Sequence, residues 1–380
     1  MSNIPFNKTW FTGREIDYIS ESLQSGKTSG NGQFSKRCQE FFEKRYGFGK
    51  TLMTTSCTDA LEMCALLLDV GPGDEVIIPS YTFVSTALPF VRQGATIVFA
   101  DSGEHNPNID ADKIESLITG RTKAIVVVHY AGIACDMAKI MEIANRYGLI
   151  VIEDAAQAID SYWFSEDGRK EALGSIGHLA AFSFHETKNI VSGEGGLLVV
   201  NDEKYFRRSE ILWEKGTNRA EFFRGAVNKY GWVDTGSSFL ASDITAAYLW
   251  AQLQQLEEIQ QKRKALWETY DLEFKALEDI KVGLPEMPPY AMQNGHLYYV
   301  VAQSLEHRTE IIERLKQHGI GSAFHYLSLH KSEFYKDKYR GGDLHNADKF
   351  TDCLLRLPLF YEMTPEDVKN IVRLGGFNSK

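Results

Sequence analysis

Residues 124–154 read AIVVVHYAGIACDMAKIMEIANRYGLIVIED. Ala124 to Tyr130 and Leu149 to Glu153 are mostly apolar runs of strand length, and Met137 to Tyr147 between them carries a helical pattern. Strands that are apolar on both faces and separated by a helix belong to a mainly parallel sheet covered on both sides. The same alternation extends outward from this stretch. Val76–Pro79, Thr96–Ala100, Leu179–Phe184 and Gly196–Val200 read as strands. Phe34–Tyr46, Thr58–Asp69, Ser85–Gln93 and Asp112–Ile118 read as helices, the second ending at Gly71-Pro72-Gly73-Asp74. After about residue 240 the period changes: Ser242–Tyr270 forms one long helical pattern, and Pro285, Pro288 and Pro289 then punctuate the chain. A strand at His296–Val301 and a helix at Arg308–His318 follow. The expected organisation is a large α/β domain over 1–240, including the N-terminal segment, then a linking helix and a smaller C-terminal α/β domain over 241–380.

Composition narrows the function classes. With 43% hydrophobic and 24% charged residues over 380, the chain is neither disordered nor of low complexity. A net charge of −10 argues against nucleic acid as a partner. No apolar run reaches membrane-span length, and Met1–Trp10 lacks a basic-then-apolar leader. Five cysteines, none in a CxxC pair, predict free thiols in a reducing cytoplasm. Gly26-Lys27-Thr28 is no P-loop, because Glu21 stands where the first glycine belongs. His185-Glu186-Thr187-Lys188-Asn189 is no zinc motif, because Asn189 replaces the second histidine, and no metal is expected. The dinucleotide glycine fingerprint is absent, and Asn7-Lys8-Thr9 matches a glycosylation sequon that has no meaning without secretion.

Four segments carry chemistry. Thr54 to Leu61 opens a helix with small hydroxylated residues, whose free N–H groups suit a phosphate; a plain N-cap by Ser56 or Thr58 is the alternative. Glu153-Asp154-Ala155-Ala156-Gln157 follows a parallel strand, where open α/β sheets bind ligands; an N-cap aspartate is the alternative. Lys188 follows an apolar strand within a few residues, so it is either a desolvated lysine able to form a Schiff base or a solvated loop lysine. Ser192-Gly193-Glu194-Gly195-Gly196 permits close backbone approach to a ligand, or forms a simple hairpin. Taken together, they contain what a pyridoxal phosphate (PLP) site requires: a phosphate cup, an Asp for the pyridinium nitrogen and a Schiff-base lysine.

Residues 183–189 (SFHETKN) with Gly193-Glu194-Gly195-Gly196 are similar to the DegT/StrS family of nucleotide-sugar aminotransferases. So are residues 153–157 (EDAAQ), 79–83 (PSYTF) and 56–61 (SCTDAL), and the resemblance spans nearly the whole chain. It implies a type I, aspartate aminotransferase-like fold and a homodimer with shared sites. Lys188 would be the Schiff-base lysine and proton shuttle, and Asp154 the partner of the pyridinium N–H. Gln157 would lie near the ring hydroxyl, Phe83 and Ala156 on the two ring faces. Cys57 and Thr58 would offer backbone N–H groups to the phosphate, and Ser183 its hydroxyl. The family's Gly-x-Asn-x-Arg appears as Gly236-Ser237-Ser238-Phe239-Leu240, leaving Ser238 to reach the partner's phosphate, and Cys57 stands where glycine is usual.

Residues 214–219 (EKGTNR), 222–225 (FFRG) and 234–238 (DTGSS) resemble a branch of the family that implies L-glutamate as donor and TDP-4-keto-6-deoxy-D-glucose as acceptor. The products would be TDP-4-amino-4,6-dideoxy-D-galactose and 2-oxoglutarate, with the cofactor passing through pyridoxamine 5'-phosphate (PMP), in the synthesis of a surface glycan such as common antigen. The 4-amino gluco epimer and 3-amino products stay open. His185, His325, Tyr326 and His330 would contact the sugar, or the last three would end a buried aromatic strand. Competing classes are a dehydratase of the same fold, against which Lys188 argues, a non-catalytic PLP-binding regulator and a plain sugar-nucleotide-binding module.

Overall fold

A computed structural model describes residues 3–378. The central sheet contains β1 (Lys50–Thr54), β2 (Glu75–Pro79), β3 (Thr96–Ala100), β4 (Thr122–Val128), β5 (Ile150–Asp154), β8 (Leu179–Ser183) and β9 (Gly196–Val200). Their spatial order is β1-β9-β8-β5-β4-β2-β3. β2, β3, β4, β5 and β8 pair in parallel, as the apolar runs predict. β9 alone is reversed, pairing antiparallel with both neighbours. Its link to β8, residues 184–195, contains no helix, and a parallel return needs a crossover of a dozen residues or more. The β2 and β9 side chains are buried throughout, so helices cover both faces.

The helix expected over Met137–Tyr147 spans those residues, with Asp136 accepting the Lys139 N–H at its start and Gly148 in the left-handed conformation at its end. Two other expectations change. Ser85–Gln93 is a short 3-10 turn, Val84–Thr86, followed by a helix at Leu88–Arg92, whose first turn holds Pro89, a residue without an N–H to donate. Ser242–Tyr270 is two helices, Asp243–Leu253 and Leu256–Lys275. Gln255 leaves the helical region (φ −117°, ψ 17°), and neither glycine nor proline marks the break. The two halves serve different partners: the first packs on helices Glu15–Gln24 and Gln33–Tyr46, the second on Pro365–Leu374.

Two small sheets complete the structure. β6 (Tyr162–Phe164) lies between β7 (Lys170–Ala172) and β10 (Ala291–Met292). β13 (Leu354–Leu357) lies between β11 (Tyr298–Val301) and β12 (Ala323–Phe324), antiparallel to both. A second core of buried side chains forms around this last sheet, where Tyr298 stacks on Tyr270 with ring centroids 4.9 Å apart. Among the described residues no helix is long and apolar enough to cross a membrane.

Candidate active site

β2, β4, β5 and β8 run in one direction, so their carboxyl ends share one edge of the sheet. A cavity of about 1120 Å³ opens at that edge, the place where open α/β sheets collect ligands. One wall is the start of helix Cys57–Leu67. Ser56 caps it by accepting the Asp59 N–H at 3.1 Å, so the N-cap reading is correct for Ser56. That leaves the N–H groups of Cys57 and Thr58, which have no intrahelical acceptor in a first turn. Cys57 has no left-handed φ, so the cysteine in place of glycine costs the backbone nothing. Gly196 pairs with both Thr54 and Ser183, and a Cβ there would overlap backbone atoms of Ser56 and Cys57. The helix end is therefore held against the start of β9 by the absence of a side chain.

β5 divides the work of two adjacent carboxylates. Side chains alternate across a strand. Glu153 turns into the fold and is fully buried. It accepts from Gly174 N (2.7 Å), Ile176 N (2.9 Å), Gly177 N (2.5 Å) and His129 Nε2 (2.9 Å). His129 Nδ1 accepts the Cys135 N–H, so Nε2 carries the proton and donates. His129 is thus structural, as its position at a strand end suggests. Asp154 turns the other way, into the cavity. Thr86 Oγ1 donates to it at 2.7 Å and Ala156 N at 3.2 Å. Burial raises its pKa above the ordinary carboxylate value, opposed by those hydrogen bonds and by Lys188 and His129. A buried carboxylate of this kind calls for a cationic or protonated partner in the cavity.

Lys188 sits in the loop joining β8 to β9, which is closed by Phe184 N–Gly195 O (2.8 Å) and Glu186 N–Gly193 O (3.0 Å). The hairpin reading of the glycine segment is therefore also correct, and the hairpin is what presents the lysine. Burial lowers its pKa below the usual lysine value, against the pull of Cys57 and Asp154. Burial with Asp154 pushes the Cys57 thiol well up, so it remains a neutral neighbour. Ser183 lines the same floor, its Oγ accepting from His185 N at 3.4 Å.

An aromatic wall faces them. Gln157 accepts from Ala131 N at 2.7 Å and donates to the Tyr326 hydroxyl at 3.1 Å. Tyr130 meets His325 Nδ1 at 3.0 Å. Phe83 is 54% exposed, its ring 6.0 Å from that of Tyr326, presenting a bare aromatic face to the cavity. Ala156 and His185 also line the space, and His185 Nδ1 bonds Thr187 Oγ1 at 3.0 Å.

Two expected site residues lie elsewhere. His330 does not line the cavity: it is buried, with Nδ1 2.7 Å from Ser80 Oγ and Nε2 3.6 Å from Asp348, so the buried reading replaces the sugar contact for this residue. Ser238 is exposed, bridged to Glu214, and is not part of this chain's cavity wall.

The structure adds residues that were not anticipated. His296 lines the cavity, and its Nδ1 is 2.9 Å from Asn189 Oδ1. Asn189 Nδ2 donates to Gln260 and to the Asn294 carbonyl, so its oxygen accepts from His296 Nδ1–H and leaves Nε2 as a neutral acceptor. Burial holds the His296 pKa well below the ordinary value. Arg356 on β13 and Phe6 and Asn7 of the N-terminal segment also line the wall. His296 falls at the expected start of a strand, where nothing marks it as a ligand; Arg356 and Phe6 carry no local signal.

The chain matches the model of the DegT/DnrJ/EryC1/StrS aminotransferase family over residues 11–374. It is 32% identical over 382 aligned residues to the spore coat polysaccharide biosynthesis protein SpsC of Bacillus subtilis, covering 97% of this chain and 95% of that one. Among solved structures it resembles Spr1654 of Streptococcus pneumoniae in its PLP form (TM-score 0.88, 28% identity, 98% of each chain). It also resembles Helicobacter pylori PseC, an aminotransferase involved in the biosynthesis of pseudoaminic acid (TM-score 0.87, 25% identity, 98% of each chain). With a mostly parallel sheet whose carboxyl edge gathers a helix end, a buried aspartate and a lysine, the chain belongs to the DegT/DnrJ/EryC1/StrS aminotransferase family.

Proposed function

We propose that this chain is a PLP-dependent sugar aminotransferase that moves the amino group of L-glutamate to C4 of TDP-4-keto-6-deoxy-D-glucose. The products are TDP-4-amino-4,6-dideoxy-D-galactose and 2-oxoglutarate. The observation that carries the reading is one cavity holding Lys188, Asp154 and the free N–H groups of Cys57 and Thr58. PLP fits this donor set: a phosphate suits a helix N-terminus, and a protonated pyridine nitrogen satisfies the buried Asp154. When bound, PLP supplies an electron-withdrawing ring that acidifies the donor's Cα–H. The choice of sugar is supported by residues 214–219, 222–225 and 234–238, which resemble the branch acting on that substrate.

The chain's own residues have separable tasks. Asp154 holds the pyridine nitrogen protonated. Lys188 anchors the cofactor and, its pKa lowered by burial, moves a proton from the donor's Cα as a neutral amine. Phe83 and Ala156 bracket the ring, Gln157 lies near its hydroxyl, and the Ser183 hydroxyl joins Cys57 and Thr58 at the phosphate. His185, His325 and Tyr326 border the sugar. Within this reading residues 1–240 bind the cofactor and 241–380 close over it. Two copies pair so that Ser238 reaches the partner's phosphate. Exposed Phe223 (69%) and Trp232 (81%), near Ser238 in sequence, would be covered by that pairing.

The test is one absorbance titration of the purified protein loaded with PLP. L-Glutamate should convert the lysine-bound spectrum to that of PMP, and the keto sugar should restore it, with NMR giving the configuration of the new amine. Conversion without restoration discards this acceptor. A protein that binds PLP but shows no conversion with any amino acid is a regulator instead.

A further inference from the structure

The turn that stands in place of the expected helix start at Ser85 carries a chain of hydroxyls. Thr86 closes the 3-10 turn Val84–Thr86 and is fully buried. Among the described residues it is the one side chain that donates to Asp154, Oγ1 to Oδ2 at 2.7 Å. Thr82 Oγ1, also buried, lies 2.8 Å from Thr86 Oγ1. A hydroxyl has one proton, and a carboxylate only accepts. With the Thr86 proton committed to Asp154, the Thr82 hydroxyl donates to Thr86, and the chain runs Thr82 to Thr86 to Asp154. The same segment presents the Phe83 ring to the cavity, and Ser85 Oγ accepts from Thr58 Oγ1 at 2.8 Å, at the helix start.

The chain acts on the charge of Asp154. Burial disfavours the carboxylate form, and a neutral Asp154 would give a protonated ring nitrogen no counterion. The ionisable groups that face Asp154 are Lys188, His129, Cys57, Cys64 and Tyr326. A hydrogen bond to a charged acceptor is about twice as strong as one between neutral groups, and each donor in a chain polarises the next. Two aligned hydroxyls therefore favour the charged form over the neutral one. The Ala156 N–H, at 3.2 Å from Oδ1, does the same for the other oxygen.

We propose that Thr86, backed by Thr82, is a positioning residue whose hydroxyl keeps Asp154 a carboxylate for the cofactor's ring nitrogen. The inference rests on the PLP reading above. Its first test needs no cofactor: urea unfolding of the full-length apoprotein between pH 4 and 7, in Thr86→Val, Thr86→Ser, Asp154→Asn and the double variant Asp154→Asn/Thr86→Val. Asp154 binds its proton more tightly in the fold than in the unfolded chain, so stability falls as pH rises, and losing the Thr86 donor makes it fall further. The ratio of unfolding constants between Thr86→Val and the parent should grow roughly tenfold from pH 4 to pH 7, the difference between a charged and a neutral hydrogen bond. Thr86→Ser should follow the parent, and the same ratio measured in the Asp154→Asn background should not change with pH. Where Thr86→Val does not fold, Thr82→Val should show a smaller growth of the same sign. The second test compares PLP with 1-deazapyridoxal 5'-phosphate, which has carbon in place of the ring nitrogen. The preference of the parent for PLP should drop roughly tenfold in Thr86→Val and persist in Thr86→Ser. A ratio constant with pH would make Thr86 a packing residue, and equal growth in the Asp154→Asn background would place the effect on another group; either result overturns the proposal. So does an unchanged preference for PLP in Thr86→Val, or a failure of Thr86→Ser to restore the parent's behaviour. A parent that binds neither compound would remove the PLP reading, and the apoprotein comparison would still decide the role of Thr86.

Discussion

Exchanging each of two adjacent carboxylates on β5 for its amide should have opposite consequences. In Glu153→Gln one carboxylate oxygen becomes an NH2. Each oxygen now accepts two hydrogen bonds: Oε1 from Ile176 N and Gly177 N, Oε2 from Gly174 N and His129 Nε2. The substitution leaves two buried donors facing a donor. At about 1–3 kcal/mol for each orphaned group, the loss is about 2–6 kcal/mol, a large part of the roughly 5–15 kcal/mol that holds a typical domain. Asp154→Asn leaves no such orphan. Asn oxygen can keep the Ala156 N–H, and its NH2 can donate to Thr86 Oγ1, which then turns its own proton to Thr82 Oγ1 2.8 Å away. The variant also removes a buried charge. Because burial raises the folded pKa of Asp154, the native state holds its proton more tightly than the unfolded chain, and the wild type loses stability as pH rises from about 3.8 through the folded value. Cofactor-free Asp154→Asn should therefore match or exceed the parent in urea unfolding at neutral pH while binding PLP weakly. Glu153→Gln should unfold at much lower urea. A loss of less than about 1 kcal/mol in Glu153→Gln, or a larger one in Asp154→Asn, would refute the division of roles.

Lys188→Ala should abolish both half-reactions and the lysine-bound spectrum; turnover within about tenfold of the parent would remove the assignment. Gly196→Ala should displace the helix start at Ser56 and Cys57, costing about 1–3 kcal/mol in stability and weakening PLP binding more than donor binding. Burial, with repulsion from Arg356 and Lys188, keeps His296 and His325 neutral in the fold, whereas the unfolded chain protonates them near 6.5. That stability is present above about pH 6.5 and lost as pH falls below it, with each histidine contributing up to about 1.4 kcal/mol per pH unit. Urea midpoints of His325→Gln should accordingly vary less steeply between pH 6.5 and 5 than those of the parent.

Much of the fold was legible because it is written locally. The strand at Thr96–Ala100, the helix at Met137–Tyr147 and the strand at Gly196–Val200 have the bounds expected from apolar runs and helical patterning. A strand buried on both faces can only be apolar on both, so its sequence declares its environment. Asp154, Lys188 and the helix start at Cys57 and Thr58 were legible for a related reason, since strand ends and helix starts of a parallel sheet share one edge; Phe83, Ala156, Gln157 and Ser183 were reached only through the family resemblance, and all eight line the cavity. The places of His330 and Arg356 were not legible. Whether the His330 ring faces a ligand or Ser80 depends on a residue 250 positions away. Arg356 carries no local signal, and it reaches the cavity wall only because β13 pairs with β11 at the carboxyl edge. The break at Gln255 likewise leaves no mark in composition, whereas the hairpin read at Ser192–Gly196 is the sequence sign of the reversed β9. Periodicity records which face of an element is apolar, a property of neighbours along the chain. Charge pairing, tautomer and burial of single polar groups depend on which distant segments pack together, and only the tertiary structure decides them.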